Sequence, residues 1–258
     1  YLVNENLTVI YLGKQISDLF RPFKVVILMQ SIKEIPVKLT QLFDTVHHMK
    51  KIEKGSFLFQ EGSSANELYI VQSGIIQISK IIPDGRELTL RMCSKGDFIG
   101  ELDLFAPAPR YLLSARVAES GEVAVIMKDV LEEKLAKNHE LSLEFMKWMS
   151  QQYRKTQTRF RDLVLHGKKG ALYSTLIRIT NSYGIKTNQG ILIELPLTNQ
   201  ELANFCGTSR EVVNRLLSDL RKAGIISIDK GSITIHDLDY LKNEIDCEDC
   251  SPEICKID

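Results

Sequence analysis

The stretch between Leu197 and Gly224 constrains the fold most, because it carries the signals for two consecutive helices. Thr198 and Glu201 form a capping box, in which a hydroxyl and a carboxylate satisfy the free backbone donors of a helix start. We therefore predict a first helix that starts at Asn199 and is followed by a short turn.

A second helix is predicted after Gly207, a position where a positive φ can reverse the chain. Thr208 or Ser209 caps this helix, which ends near Gly224. Its buried stripe consists of apolar residues at helical spacing: Val212, Val213, Leu216, Leu217 and Leu220. Two helices around a tight turn are typical of the helix-turn-helix motif, whose second helix enters the DNA major groove.

The outward residues of the second helix suit the reading of bases. Arginine can donate two hydrogen bonds to guanine, and glutamate can accept one from cytosine. We predict DNA contacts from the cap and the first turns of this helix: Thr208, Ser209, Arg210, Glu211, Asn214 and Arg215. The alternative is an ordinary helical hairpin with a solvated charged face.

The run from Leu197 to Ile235, which ends in IISIDKGSITI, resembles the winged helix-turn-helix of the Crp/Fnr transcription regulators. In that family the recognition helix carries a Glu and an Arg at the positions of Glu211 and Arg215. Arg210 resembles the Crp variant of the motif, whose half-site is TGTGA. The resemblance implies a homodimer that reads a palindromic promoter site in double-stranded DNA and contacts RNA polymerase.

Composition indicates a globular chain but does not by itself indicate a nucleic-acid partner. The 258 residues carry no net charge and are 44% hydrophobic, so one or two domains with a real core are expected. The segment from Arg154 to Lys186 holds eight Lys or Arg against the single Asp162, a net charge of +7, whereas residues 244–258 carry −5. Attraction to phosphates must therefore come from local basic segments.

Residues 1–46 are predicted to form an N-terminal arm, partly non-native or disordered, because they show no periodic apolar face. A natural start at Met29 is plausible. The apolar run VVILM is far shorter than the about 20 residues of a membrane span, and no signal-peptide order is present. We therefore expect a cytoplasmic protein without a membrane partner.

Between residues 47 and 135 short apolar runs are broken by glycines, among them Gly74 and Gly121. This spacing predicts turns at the glycines and an all-β barrel or jelly roll. The sequence PDGR at residues 83–86 fits a hairpin turn between two strands. The phrases KGSFLFQEG, ELYIVQSG and GDFIGELDLF resemble the cyclic-nucleotide-binding β-roll of the Crp/Fnr family.

Cyclic AMP is nevertheless not expected as a ligand. In the nucleotide-binding members of the family, a Gly-Glu-Leu turn precedes an Arg-Ser pair that binds the phosphate. The turn is present at residues 100–102, and Arg110 is available. The residues that follow are apolar where the hydroxyl should stand: Tyr111, Leu112 and Leu113. We predict that these side chains fill the cavity and that the β-roll serves as a scaffold.

Residues 141–165 contain no glycine or proline and predict a helix of about seven turns. A palindrome reader needs two recognition helices about 34 Å apart, so one face of this helix is assigned to a dimer interface. The assigned residues recur at intervals of three and four: Leu141, Phe145, Met149, Tyr153, Thr156, Phe160 and Leu163. The alternative is a helix packed on its own β-roll. The run from His166 to Gly170 predicts a hinge at the end of the helix.

The predicted fold class is thus α+β. Residues 47–135 form a β-roll, residues 136–166 a long dimerisation helix, residues 167–240 a winged helix-turn-helix domain, and residues 241–258 a cysteine-containing tail. A nucleophile, a base and an orienting partner do not occur together as a motif, so catalysis is not expected.

The tail places three of the five cysteines within nine residues: Cys247, Cys250 and Cys255. A soft metal centre explains this spacing better than disulfides, which need an oxidising compartment. Zinc completed by His236 and an iron–sulfur cluster completed by a ligand elsewhere both remain open. Free, oxidation-sensitive thiols are the third alternative. The other two cysteines, Cys93 and Cys206, are predicted to be core residues.

The tail CEDCSPEIC, together with RFRDLVLHGKKG, resembles the Bacillus-type Fnr oxygen regulators. The resemblance implies a [4Fe-4S] cluster held by the three tail cysteines and by an aspartate that corresponds to Asp162. It also implies activation of anaerobic metabolism genes, such as those of nitrate respiration. A carboxylate is a weaker iron ligand than a thiolate, which suits a sensor. The alternative for Asp162 is an ion pair with Arg159 or Arg161.

On this hypothesis the cluster ties the acidic tail to the long helix and fixes the DNA-reading domain. Without a cluster, a free tail of charge −5 would move near the DNA phosphates and disfavour binding. The alternative function is a Crp-like regulator that responds to a small molecule, with an anion bound at Arg110 and a structural zinc in the tail.

Overall fold

The computed structural model describes residues 37–101, 105, 107–193, 195, 197–229 and 231–257. The predictions for residues 1–36, including the start at Met29, lie outside this range. The first half contains a 3-10 helix and six strands, namely Val37–Thr45, β1 His48–Ile52, β2 Phe57–Phe59, β3 Glu67–Ile81, β4 Glu87–Cys93, β5 Phe98–Ile99 and β6 Ser114–Met127.

Two helices follow the strands, and a smaller mixed domain follows the helices. Their bounds are α1 Lys128–Lys137, α2 His139–Tyr183, β7 Gly184–Thr187, β8 Gly190–Ile193, α3 Asn199–Phe205, α4 Arg210–Lys222, β9 Ile226–Asp229, β10 Ser232–Ile235 and α5 Leu238–Asn243. Within the described residues, none of the helices has an apolar stretch of the length that a bilayer crossing requires.

The six strands form the predicted β-roll. Their antiparallel order is β1-β6-β3-β4, with β2 added to β6 and β5 added to β3. The interior is aromatic, since Tyr111 stacks on Phe59 at 3.7 Å between ring centroids and Phe59 stacks on Tyr69 at 5.8 Å. The hairpin predicted at residues 83–86 is confirmed: it joins β3 to β4, and it is closed by hydrogen bonds from the Ile82 N–H to the Arg86 carbonyl oxygen and from the Gly85 N–H to the Ile82 carbonyl oxygen.

Gly74 and Gly121 lie inside strands, so the prediction of turns at these two glycines is wrong. They are located where β3 and β6 cross closely and the pairing register shifts. A Cβ on Gly74 would lie 2.6 Å from the Glu119 carbonyl oxygen, and one on Gly121 would lie 2.0 Å from that of Ser73. Both positions require glycine because the two backbones touch there.

A second core lies outside the roll, where the 3-10 helix, α1 and the start of α2 pack against it. Leu39 and Leu42 of the 3-10 helix are fully buried in this core, so the folded region begins before residue 47. Leu141 and Phe145 of α2 are buried in the same core, and Met149 packs against it. The assignment of Leu141 and Phe145 to a dimer interface is therefore wrong, because their side chains are already covered by their own chain.

The long helix breaks where a hinge was predicted. Gly167 has φ 58° and ψ −151°, a conformation outside the helical region, and α2 resumes after it and continues to Tyr183. The prediction that the first helical stretch ends within the His166–Gly170 run is confirmed, because α2 consists of two helices that meet in a kink at Gly167. The continuation forms the central buried helix of the C-terminal domain.

The C-terminal domain is a winged helix-turn-helix. Its four-stranded sheet has the order β7-β8-β10-β9, and β9 and β10 form the hairpin expected as the wing. The capping box of Thr198 and Glu201 is present, and α3 starts at Asn199 as predicted. Ile254 and Ile257 of the tail are buried in the core of this domain, so residues 241–258 are not a separate segment.

Candidate DNA interface and cysteine site

The recognition helix α4 presents the predicted polar residues on one free face. Arg210, Glu211, Asn214 and Arg215 are exposed, while Val213 and its helical neighbours face the core. Basic and acidic side chains thus lie on the first two turns of α4, the part of the second helix that contacts base edges in helix-turn-helix motifs. The DNA-contact assignment of these residues remains a prediction.

The start of α4 differs in detail from the predicted cap. Ser209 occupies the N-cap position, but its side chain does not accept a hydrogen bond from the helix. Hydrogen bonds from its own backbone N–H and from Ser209 hold the pKa of Glu211 below its usual value, so its carboxylate is ionised. Thr208 Oγ1 is buried without a hydrogen-bond partner among the described residues. The prediction that the hydroxyl of Thr208 or Ser209 caps α4 is therefore wrong.

The first helix of the motif, α3, packs against strand β4 of the β-roll. Asn204 Nδ2 donates to Glu87 Oε2 over 3.1 Å, and the guanidinium of Arg159 lies 5.8 Å from the ring centroid of Phe205. Arg159 also donates to the carbonyl oxygen of Leu90, and burial lowers its pKa to about 10. The DNA-reading domain is thus attached to the roll through α3, which leaves α4 free.

The tail brings the three cysteines to the core of the DNA-reading domain. Cys255 is buried, and Cys247 and Cys250 pack half-buried against the same core. Burial raises the pKa of the Cys255 thiol, the nearby Arg178 opposes the rise, and Cys247 and Cys250 add to it. The three sulfurs are therefore close enough to influence one another electrostatically.

Backbone contacts hold the tail against the second half of α2. Arg178 Nη1 donates to the Ile254 carbonyl oxygen over 3.2 Å, and Asn181 Nδ2 donates to that of Cys255 over 2.7 Å. The backbone N–H of Ile257 donates to Ser182 Oγ over 3.2 Å. The tail is thus docked in this structure, and the expectation that a tail without a cluster moves freely remains a prediction.

Asp162 lies at the end of the first half of α2 and is only 2% exposed. Its Oδ2 accepts from Ser174 Oγ at 2.6 Å and from Arg178 Nη2 at 3.1 Å, and its Oδ1 accepts from Arg161. Burial by itself would raise the pKa of Asp162, but the hydrogen bonds from Ser174, Arg161 and Arg178 outweigh it and hold the pKa below the ordinary value. The proposed alternative, an ion pair with Arg161, is thus present together with a second one.

The three cysteines have the chemistry of ligands for a soft metal, but they are not arranged around a common metal position in this structure. Three thiols in one protected cluster suit iron or zinc. Among the described residues, however, no three His, Cys, Asp or Glu side chains stand in an arrangement that could hold a metal ion. Both carboxylate oxygens of Asp162 already accept hydrogen bonds, so iron would have to compete with arginine for this ligand.

Both ring nitrogens of His236 have partners other than the cysteines. Its Nδ1 lies 2.6 Å from the Gln189 carbonyl oxygen and its Nε2 lies 2.9 Å from Ser227 Oγ, so both ring nitrogens are engaged at the wing. A zinc site completed by His236 is therefore not what this arrangement favours.

In the β-roll, Arg110 and Tyr111 each donate to a backbone carbonyl oxygen, and an anion bound at Arg110 remains an alternative. The guanidinium of Arg110 is exposed and donates to the Gly62 carbonyl oxygen over 2.7 Å, while Tyr111 is buried in the roll and donates to the Glu67 carbonyl oxygen over 3.0 Å. Arg110 thus closes a loop, and Tyr111 fills the interior as predicted. Leu112 is exposed instead of filling it, which corrects that part of the prediction. The expected lack of cyclic AMP binding remains a prediction.

A separate cavity of about 260 Å³ lies between the roll, α2 and the DNA-reading domain. Its walls are mostly apolar and include Leu90, Leu113, Phe160 and Phe205. Thr156 and Leu163, two residues assigned to the dimer interface, also line it.

The exposed apolar residues of α2 define a stripe that overlaps the predicted one in part. Of the assigned residues, Tyr153, Phe160 and Leu163 are exposed, at 65%, 63% and 38%, and Thr156 is exposed as well. Tyr153 and Phe160 fall into one row with other exposed side chains at intervals of three, four or seven residues: Leu143, Met146, Tyr153, Phe160 and Val164. We call this row the exposed stripe, and it has the spacing of a coiled-coil contact.

Sequence reasoning missed Arg178, which connects Asp162 to the tail. A usable signal exists, since Arg178 is the one charged residue in the run ALYSTLIRITNSY. A charge inside an apolar helix is rarely buried unless it is paired.

Two family models match this chain. They are the cyclic nucleotide-binding domain over residues 49–138 and the Crp-like helix-turn-helix domain over residues 171–244. The Anaerobic regulatory protein of Bacillus subtilis is 57% identical over 221 residues, which cover 85% of this chain and 93% of that protein. The chain belongs to the Crp/Fnr family of transcription regulators. This membership confirms the family predicted from the sequence.

Other Crp/Fnr relatives are more distant. The CRP-like cAMP-activated global transcriptional regulator of Mycobacterium tuberculosis is 30% identical over 188 residues, which cover 73% of this chain and 84% of that protein. Among solved structures, the c-di-GMP responsive regulator CLP of Xanthomonas campestris matches with a TM-score of 0.68 and 24% identity, over 78% of this chain and all of that one. A CooA mutant from Carboxydothermus hydrogenoformans matches with a TM-score of 0.70 and 20% identity, over 83% of this chain and 96% of that one. Both confirm the predicted fold.

Proposed function

We propose that this Crp/Fnr chain is an oxygen-responsive transcription regulator that binds DNA as a homodimer. The observation that carries the proposal is the packing of three cysteines into the DNA-reading domain, on a tail whose Glu248 and Glu244 pair with Arg161 and Lys169 on the two sides of the helix break. Similarity to a protein named Anaerobic regulatory protein supports the same conclusion. Activation of anaerobic metabolism genes and contact with RNA polymerase are part of the proposal.

The DNA half of the proposal rests on the free face of α4. Arg210, Glu211 and Arg215 are exposed, and the Glu211 carboxylate is ionised and able to accept from a cytosine amino group. These residues suit a TGTGA-type half-site. A palindrome then requires two such helices, which the exposed stripe on α2 supplies by pairing with the same stripe of a second copy.

The sensing half assigns a [4Fe-4S] cluster to Cys247, Cys250 and Cys255, with Asp162 as the fourth ligand. Such a cluster supplies oxygen-labile iron when bound. The residues of this chain supply a docked tail, three thiols in a protected cluster and a carboxylate next to the tail anchor. A bound centre would therefore stabilise the junction between the long helix and the DNA-reading domain.

The test is the metal content and DNA binding of protein purified without air. We expect iron and sulfide close to four of each per chain, tight binding to a TGTGA palindrome, and loss of both after exposure to air. Cys250→Ser should abolish the iron and the oxygen response, whereas Ser251→Ala in the same loop should keep both. Protein that carries no iron, or that binds the palindrome equally well before and after air, contradicts the proposal.

The cavity between the roll and the DNA-reading domain favours a second candidate function. Its volume and apolar walls fit a small organic effector, in which case the tail would bind a structural zinc. The same metal analysis separates the two candidates, because zinc without sulfide would support the second one.

A further inference from the structure

Arg178 is a buried charge that joins three segments of the chain, namely the two halves of α2 and the tail. Only 2% of its surface is exposed. Its Nε donates to Ser174 Oγ over 3.1 Å and its Nη1 donates to the Ile254 carbonyl oxygen over 3.2 Å. Its Nη2 donates over 3.1 Å to both Thr158 Oγ1 and Asp162 Oδ2.

These partners lie on both sides of the helix break and on the tail. Thr158 and Asp162 precede Gly167, Ser174 follows it, and Ile254 is the residue directly before Cys255. The planar fork of arginine can serve several acceptors in fixed directions, which a lysine cannot do. The position of the Cys255 backbone is thus coupled to the carboxylate proposed as the fourth ligand.

The contacts that Asn181 and Ser182 make with the tail lack this reach, whereas Arg161, in the first half of α2, pairs with both Asp162 and Glu248 of the tail. Asn181 and Ser182 each make one contact with the tail, and both lie on the same half of α2 as Ser174. Neither of these two contacts extends across the break to Asp162. Arg178 therefore differs from them in linking the tail to both halves of the helix.

We propose that Arg178 is the positioning residue that keeps Cys255 docked beside Asp162 before any metal is bound. This inference rests on the proposed function only because it takes Cys255 and Asp162 as ligands of one metal centre. The consequence is that the protein fold docks the tail with Cys255, and that metal binding follows this docking. The competing explanation is docking by the apolar side chains Ile254 and Ile257 alone.

The test measures thiol accessibility in metal-free protein. Full-length protein is stripped with a chelator under reducing conditions without air, treated with iodoacetamide, and the alkylation rate of each cysteine is followed by mass spectrometry. In the wild type we expect fast labelling of Cys247 and Cys250, slow labelling of Cys255 and almost none of the two core cysteines, Cys93 and Cys206.

Arg178→Met should raise the Cys255 rate at least tenfold and leave Cys93 and Cys206 unlabelled. Arg161→Gln is the comparison variant, because it removes the other arginine bound to Asp162 and the ion pair with Glu248 of the tail but no contact to Ile254, and its Cys255 rate should stay within twofold of the wild type. If the Met variant does not fold, Arg178→Lys replaces it, with an expected rise of about threefold because the charge stays and the fork is lost.

A Cys255 rate within twofold of the wild type in the folded Arg178 variant would overturn the inference. So would a parallel rise at Cys93 and Cys206, because that pattern reports loosening of the whole fold. The labelling experiment uses metal-free protein. A failed iron count in the untreated protein would therefore contradict the proposed function without changing the result expected for docking of the tail.

Discussion

At Asp162 one buried carboxylate accepts hydrogen bonds from two arginines and a serine. The net effect is a pKa below the ordinary value in spite of burial, so the group is charged at neutral pH. A charged carboxylate between two arginines is a stable structural element without metal. In the ligand role proposed for Asp162, iron would have to compete with these arginines for the carboxylate.

Asp162→Asn should destabilise metal-free protein strongly, because it leaves the buried Arg178 without its counter-charge. We expect a loss of about 3 to 5 kcal/mol in the free energy of unfolding at pH 7, measured by urea denaturation. Since the folded pKa is lowered, this stabilisation is present above the unfolded pKa and disappears as the pH falls below about 4.

The control for that substitution is Arg161→Gln, which removes a partner that is 25% exposed at its side chain. A loss of about 1 kcal/mol or less is expected, because solvent screens this pair. Equal losses in the two variants would contradict the view that the buried pair dominates.

Glu211→Gln tests base reading at the residue scale. The neutral amide no longer presents an ionised acceptor, so affinity for a TGTGA palindrome should fall by about 1 to 3 kcal/mol while affinity for an unrelated duplex stays the same. Fluorescence anisotropy at one fixed salt concentration measures both. Lys222→Ala at the far end of α4 is the control and should not change the preference between the two sequences.

Arg178 shows why part of the site escaped sequence reasoning. Its acceptors Asp162 and Ile254 lie 16 and 76 residues away, so no local pattern announces them. The tail cysteines, by contrast, form a compact motif. The cysteines were predicted because they lie close together in the sequence. Arg178 was missed because its partners lie far from it in the sequence.

At the scale of elements, the break at Gly167 divides the long helix between two domains. Gly167 adopts φ 58° and ψ −151°, a region that side chains other than glycine rarely occupy. A Cβ there would meet nothing within 4 Å, so the obstacle to substitution is backbone strain and not space.

Gly167→Ala should therefore lower the free energy of unfolding by about 1 to 3 kcal/mol, as measured by thermal denaturation. Lys168→Ala is the control, because Lys168 is exposed and lies in helical backbone, and its effect should stay within about 0.5 kcal/mol. An alanine variant as stable as the wild type would show that the break is not imposed by the backbone.

The elements that were predicted well have local causes. The capping box fixed the start of α3, and the glycine after it fixed the turn. The stripe on α2 was placed wrongly because Leu141 and Phe145 contact strands far away in the sequence. Periodicity identifies the faces of a helix, but it does not say which face the rest of the chain covers.

At the scale of the whole molecule, the exposed stripe on α2 is the surface that a second copy would cover. Its members are large, apolar and exposed within the described part of one chain, and Phe160 also lines the cavity. A row of this kind in water favours association through the same face of two helices.

Phe160→Glu combined with Val164→Glu should convert the dimer into a monomer, because two charges on each helix would face each other across the contact. Sedimentation velocity measures the change, and DNA affinity should fall with it. Leu112→Glu is the control, because Leu112 is equally exposed but lies on the β-roll. A double variant that sediments like the wild type would contradict the stripe as the dimer contact.

The burial of Ile254 and Ile257 also bears on how the protein is made. A ribosome synthesises residues 245–257 after the other described parts of the core that they complete. The interior of the DNA-reading domain therefore closes only when the thiols have emerged. On the proposed function, iron that reached the nascent chain earlier would meet separate sulfurs and no docked tail, so cluster insertion would have to follow synthesis.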